Sequence, residues 1–149
     1  MDLITKNRNL LIDEINKSFR DSQFANKNKP ILVAVSKKQE DYKIDMALSC
    51  GHLVFGENRL QEAQKRWKSR IIKNPEIELR MIGPLQTNKV KGALELFNVI
   101  ETIDREKLAK SIHENYNIDS RTKEFYVQVN TGNEPQKAGI DTNYLSEFV

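Results

Sequence analysis

Lys37 stands two residues beyond the apolar run 31–35 (ILVAV), with Ser36 before it and Lys38 after it. An amine at the end of an apolar strand can lose solvation, which lowers its pKa and makes the neutral, nucleophilic form more accessible. Such an amine condenses with an aldehyde to give a Schiff base. The same residue types also make an ordinary solvated strand end in a chain with 24 Lys plus Arg. On the residues alone both readings stay open for Lys37, while Lys38, alternating away from it, reads as surface.

Polar groups recur where the other apolar runs stop: Glu57 and Asn58, Gln86 and Asn88, Glu101 and Thr102, Gln128 and Asn130. Asn58 can donate or accept a hydrogen bond at a binding mouth, and is equally well placed to cap a helix. Glu57 and Glu101 could approach as an acid/base pair, although surface or capping roles are commoner for glutamate. Gly56 and Gly83 follow apolar strands and let a ligand or a neighbouring backbone come close, or serve as turn residues. His52 and His113 fall in different elements, so they do not read as a metal pair. The single cysteine, Cys50, excludes an internal disulfide and reads as packing. The stretch GPLQTNK lacks the spacing of a phosphate-binding loop, and GxGxxG occurs nowhere.

The elements that would position these residues repeat. Residues 3–20 place Leu3, Ile4, Leu10, Leu11, Ile15 and Phe19 at near-helical spacing, and the polar connector DSQFANKNKP follows. ILVAV is a continuous branched run, the pattern of a strand covered on both faces. DYKIDMALSC then reads as a helix stopped by Gly51. Further strands are expected in HLVF, ELRMI, NVIETI and EFYVQVN. Helices are expected in NRLQEAQKRW, with Leu60, Ala63 and Trp67 inward, in TNKVKGALELF, capped by Thr87 or Asn88, and in REKLAKSIHENY, capped by Asp104. Asp141 is expected to cap a last helix carrying Tyr144, Leu145 and Phe148.

Strand followed by helix, five times over, predicts an α/β fold with a parallel sheet of right-handed crossover units. At about 23 residues per unit, a closed eight-unit barrel with its lead-in needs about 215 residues, against the 149 present. The chain would then hold about five strands of a (β/α)8 barrel, with exposed strand edges and interior side chains facing water. The expected division is residues 1–30 as a helix and connector and 31–149 as the N-terminal portion of the barrel.

Bulk composition narrows the partners. The net charge of +3 comes from 24 basic and 21 acidic residues of interspersed sign, which suits a solvated surface better than a nucleic-acid footprint. No run approaches the roughly 18 apolar residues of a membrane span, and the first ten residues lack the apolar core of a secretion signal. A cytoplasmic protein with no nucleic-acid or membrane partner is expected.

Five ordered stretches, VAVSK, FGENRLQEA, IGPLQTNK, TIDREKLA and VQVNTGNEPQKAG, cover most of residues 31–140. Together they closely resemble the pyridoxal-phosphate homeostasis protein family, whose members look like the TIM-barrel domain of alanine racemase standing alone. The resemblance implies that Lys37 forms the internal aldimine with pyridoxal 5′-phosphate, that Asn58 lines the pocket, and that Lys137 lies near its mouth. It also implies a vitamin B6 carrier without a defined catalytic reaction, able to serve recipient apoenzymes. Where the family carries HxIG this chain has RMIG, so Arg80 replaces a histidine. The family's serine- and glycine-rich phosphate cradle has no counterpart in the 149 residues. The resemblance therefore suggests a C-terminally truncated member; the alternatives are a fragment of a pyridoxal-phosphate-dependent racemase or decarboxylase, or a fragment without function. The oligomeric state is left open.

Overall fold

The computed structural model describes residues 2–23 and 28–149. Residues 24–27 of the expected connector lie outside them.

Helix α1 (Leu3–Arg20) starts at Asp2, whose carboxylate accepts from the Thr5 backbone N–H at 2.9 Å. This cap satisfies one of the free N–H groups of the first turn. Five strands follow: β1 (Ala34–Val35), β2 (Val54–Glu57), β3 (Glu78–Met81), β4 (Val99–Ile103) and β5 (Glu124–Val127). They pair in sequence order, every neighbouring pair parallel. The crossovers are α2 (Asp41–Ser49), α3 (Leu60–Lys73), α4 (Val90–Leu96) and α5 (Glu106–Asn115). This is the five-stranded parallel arrangement expected of a partial (β/α)8 barrel.

Local chemistry sets the boundaries. Helix α2 ends in a Schellman motif: the His52 N–H donates to the Ala47 carbonyl and the Gly51 N–H to the Leu48 carbonyl, each at 3.0 Å. Gly51 takes φ +76°, a conformation that favours glycine. The expected caps fail further on. Thr87 and Asn88 lie inside a 3-10 turn (Thr87–Lys89) ahead of α4. The Asp104 carboxylate is drawn to the Arg105 guanidinium instead of the α5 backbone. Asp141 belongs to a short parallel pair, β6 (Val129–Asn130) with β7 (Ile140–Asp141), and the last helix is a single turn, α6 (Leu145–Phe148).

The core lies between the sheet and helices α2 to α5. Phe55, Leu79, Met81 and Ile100 pack from the strands against Trp67, Val90, Phe97 and Leu108. Trp67 is fully buried, as its spacing predicts. Side chains alternate along each strand, so Val35, Gly56, Arg80, Glu101 and Tyr126 fall on the other face. That face is open at its flanks, with Val35 49% and Tyr126 48% exposed. Helix α1 packs on α2 but buries none of its own residues, because only one side of it meets the fold.

Candidate functional site

The end of β1 is a fixed turn. The Ser36 N–H donates to the Gly56 carbonyl at 3.0 Å, extending the β1–β2 ladder, and the Gln39 N–H closes back onto the Ser36 carbonyl at 3.1 Å. Between these anchors lie Lys37 and Lys38. Lys38 adopts φ +59°, a left-handed conformation that costs a residue with a Cβ about 1–2 kcal/mol. Lys37 is exposed, as the solvated-strand-end reading allowed, and shows no burial that would desolvate its amine. Its amine meets no hydrogen-bond or ion-pair partner among the described residues.

Beneath the turn sits a polar network that sequence reasoning missed. Glu57 is fully buried, and its Oε1 accepts from Ser36 Oγ (2.7 Å), Arg66 Nη1 (3.0 Å) and Trp67 Nε1 (3.1 Å). Its Oε2 is buried with no hydrogen-bond donor in reach. Arg66 also donates to the carbonyls of Ser36 and Gln39, each at 2.9 Å, and its Nε lies 3.3 Å from the Asp41 carboxylate. Burying a carboxylate is tolerable only when charge and hydrogen bonds compensate, and Arg66 supplies the charge. The i to i+10 spacing between Glu57 and Trp67 carries no local sequence signal.

This network rules out an acid/base pair of Glu57 and Glu101. Glu57 shares the helix-facing side of β2 with Phe55. Glu101 points to the opposite side of β4 and accepts from Arg80 Nη1 at 2.9 Å. Neither glutamate is the surface or capping group that the sequence also allowed.

Asn58 follows β2. The register pairs Val35 with Gly56, so Lys37 and Asn58 each lie two residues beyond the last paired residues of neighbouring strands. Asn58 does not cap α3, whose first flanking residue is Arg59 with no side-chain cap. Its half-buried carboxamide makes no hydrogen bond to another described residue. It lines a cleft of about 490 Å³ shared with Arg59, Gln61, Met81, Gln86 and Lys89. Both flagged glycines mark close approaches: a Cβ on Gly56 would lie 2.9 Å from Ile82 Cδ1, and one on Gly83 would collide with Asn58.

Arg80 bridges two carboxylates on the open face, Glu101 and, at 2.5 Å, Glu78. Burial pulls its pKa down, but the hydrogen bonds and charges of Glu101 and Glu78 outweigh it and hold the guanidinium above its ordinary value. Lys137 lies in the loop between β6 and β7, at the far edge of the sheet from Lys37, and pairs with Glu134 at 2.5 Å. His52 is buried with its Nε2 2.8 Å from the Val54 carbonyl oxygen. Among the described residues no three His, Cys, Asp or Glu side chains cluster to hold a metal ion, and no helix is long and apolar enough to cross a membrane.

The chain is 36% identical over 117 residues to the pyridoxal phosphate homeostasis protein of Pasteurella multocida, covering 78% of the chain and 50% of that relative. With that of Vibrio cholerae it shares 36% over 116 residues, covering 76% and 49%. The chain is a homologue of the pyridoxal phosphate homeostasis proteins. It spans about half the length of these curated relatives. No protein-family model matches it. Among solved structures, this homologue resembles PipY, the COG0325 family member of Synechococcus elongatus PCC7942. The form without PLP superposes with a TM-score of 0.69 at 29% identity, covering 91% of this chain and 63% of that one. The form with PLP bound gives 0.68 at 28% identity, covering 90% and 62%. A Bifidobacterium adolescentis protein of unknown function, 23% identical, shares the fold with a TM-score of 0.79, covering 97% of this chain and 62% of that one. The α/β fold expected from the strand-helix repeats therefore matches about three fifths of each of these solved chains.

Proposed function

We propose that this chain binds pyridoxal 5′-phosphate through the Lys37 amine and takes part in vitamin B6 homeostasis. One observation carries the reading: an exposed amine without a partner among the described residues is held on a fixed turn just past β1, with the free Asn58 carboxamide just past the end of the neighbouring β2. The homologues' name and the PLP-bound form of PipY support the choice of ligand. When bound, the cofactor would supply an aldehyde with which the Lys37 amine would condense, the carbonyl oxygen and the two amine protons being released as water.

The residues present suit this group. Lys37 is accessible to a solute, and Asn58 offers both a donor and an acceptor. On this reading, residues 31–149 are the N-terminal portion of a cofactor-binding barrel and residues 1–30 a helix and connector. Lys137, in the loop between β6 and β7, is a candidate second amine near the mouth. The chain acts as a carrier in the cytoplasm, able to serve recipient apoenzymes, rather than as an enzyme.

The test is to incubate the purified chain with pyridoxal 5′-phosphate, reduce with borohydride and map the adduct. A single adduct at Lys37, lost in Lys37→Ala, supports the proposal. Label spread over surface lysines overturns it, and racemisation or decarboxylation of amino acids would point to an enzyme fragment instead.

A further inference from the structure

The turn that carries Lys37 is gripped from outside. Arg66, on α3, reaches over β2 and donates Nη1 to the Ser36 carbonyl and Nη2 to the Gln39 carbonyl, each at 2.9 Å. These two oxygens bracket Lys37 and Lys38. The fork is held from behind by Glu57 at 3.0 Å and by Asp41 at 3.3 Å. Its base is equally fixed, because Trp67, the next residue, is fully buried and donates to the same Glu57 oxygen.

A non-glycine residue in the left-handed region persists where its surroundings over-determine it. At Lys38 they do. The planar guanidinium spans two carbonyls at a fixed separation, which a lysine ammonium cannot do in the same way. If the turn relaxes, Lys38 returns to an ordinary conformation and the Cα–Cβ direction of Lys37 changes with it. The two adjacent lysines are both exposed and chemically alike, so backbone conformation is what distinguishes their amines.

From this we infer that Arg66 is a positioning residue for Lys37: by clamping the Ser36–Gln39 turn it selects which of two neighbouring amines stands at the strand mouth. Arg66 is only 18% exposed at its side chain and its donors are engaged by protein oxygens, so it acts through the turn and not by touching a ligand. This inference rests on the reading of Lys37 as the cofactor's anchor.

The experiment compares the full chain with Arg66→Lys and Arg66→Met. Arg66→Lys keeps a positive charge opposite Glu57, so it stays folded even if Arg66→Met does not. The first readout needs no cofactor: cleavage after Lys37 and Lys38 by a lysine-specific protease. Losing one hydrogen bond from a charged donor should raise cleavage at the turn by about tenfold, with unchanged cleavage at Lys107 or Lys110 in α5. The second readout is the partition of borohydride-trapped pyridoxal 5′-phosphate between Lys37 and Lys38. The wild type should label Lys37 predominantly, and the variants should label both lysines within about threefold of each other, the loss of a preference worth about 1 kcal/mol. If the wild type is selective and Arg66→Lys is cleaved and labelled as the wild type is, the inference is overturned and the proposed function stands. If the wild type itself shows no preference for Lys37, both fall.

Discussion

Gly83 lies against Asn58 so closely that a Cβ at position 83 would sit 2.4 Å from the Asn58 carbonyl oxygen and 2.6 Å from its Cα. The Gly83 carbonyl is in turn held by Thr102 Oγ1 at 2.7 Å, so β3 cannot yield from that side. Gly83→Ala should push the β2–α3 turn outward and destabilise the fold by roughly 1–3 kcal/mol, the usual cost of overpacking. The urea midpoint measures the loss. Gly92→Ala, half-buried where α4 faces α3 but meeting only the Gln64 and Leu60 side-chain tips at 3.2 Å, should cost far less.

Glu57 offers one acceptor to three donors. Glu57→Leu would leave Arg66, Ser36 Oγ and Trp67 Nε1 facing an apolar group, with an expected loss of about 3–5 kcal/mol. Glu57→Gln retains a carbonyl oxygen for Ser36 and Trp67 and should lose less than half as much. Chemical denaturation of the two variants decides this, and equal losses would refute the hydrogen-bonding role.

The pH dependence should report His52. Burial is the main cause that holds its pKa below the ordinary 6.5; the Arg8 charge adds to this and the hydrogen bond to the Val54 carbonyl opposes it. Arg8 reaches it from α1, bonding the Gly51 carbonyl at 3.2 Å, and the Phe55 ring meets the imidazole edge-on. The folded state thus favours neutral histidine. Between the depressed folded value and 6.5 the unfolded chain binds more protons, so this contribution is present in full above 6.5 and is lost as the pH falls below it. Unfolding midpoints at pH 7.5 and 5.5 should converge in His52→Gln relative to the wild type.

Lys38→Gly should relieve the left-handed strain at the turn. The gain, offset in part by the greater freedom of glycine in the unfolded chain, is expected to be up to about 1 kcal/mol. A lower melting temperature in this variant would contradict the turn geometry.

The flank of the sheet predicts association. Strand β5 leaves one backbone edge unpaired in this sheet, with Phe125 36% and Tyr126 48% exposed. Such edges template pairing with other chains, and lysine discourages it. Tyr126→Lys would place an ammonium beside Glu124, which now accepts from the Tyr126 hydroxyl at 2.9 Å. Sedimentation velocity should show concentration-dependent association in the wild type and less of it in the variant.

Much of this was readable from residue order. The apolar runs located all five strands, although only Ala34–Val35 of ILVAV pairs and EFYVQVN divides between β5 and β6, and helical spacing marked Leu60, Ala63 and Trp67 as inward. Lys37 and Asn58 could be placed at neighbouring strand ends. The caps were misplaced because Asp104 found a cation one residue away, a competition that propensity does not register. Glu57 was misread because a buried glutamate becomes sensible only with Trp67 and Arg66 beside it, and the Arg66 carbonyl contacts span 27 and 30 residues. The left-handed Lys38 had no signal at all, since lysine is not a residue chosen for that conformation.

The order β1-β2-β3-β4-β5 means that each strand pairs with the one made just before it. Every pairing is closed by a crossover already synthesised, and none waits for a distant segment. Loop-closure cost is therefore met in small successive steps. Such a sheet can grow in the direction of translation, with the Lys37 turn and its Arg66 brace assembled by the time α3 has emerged, ahead of β3, β4 and β5.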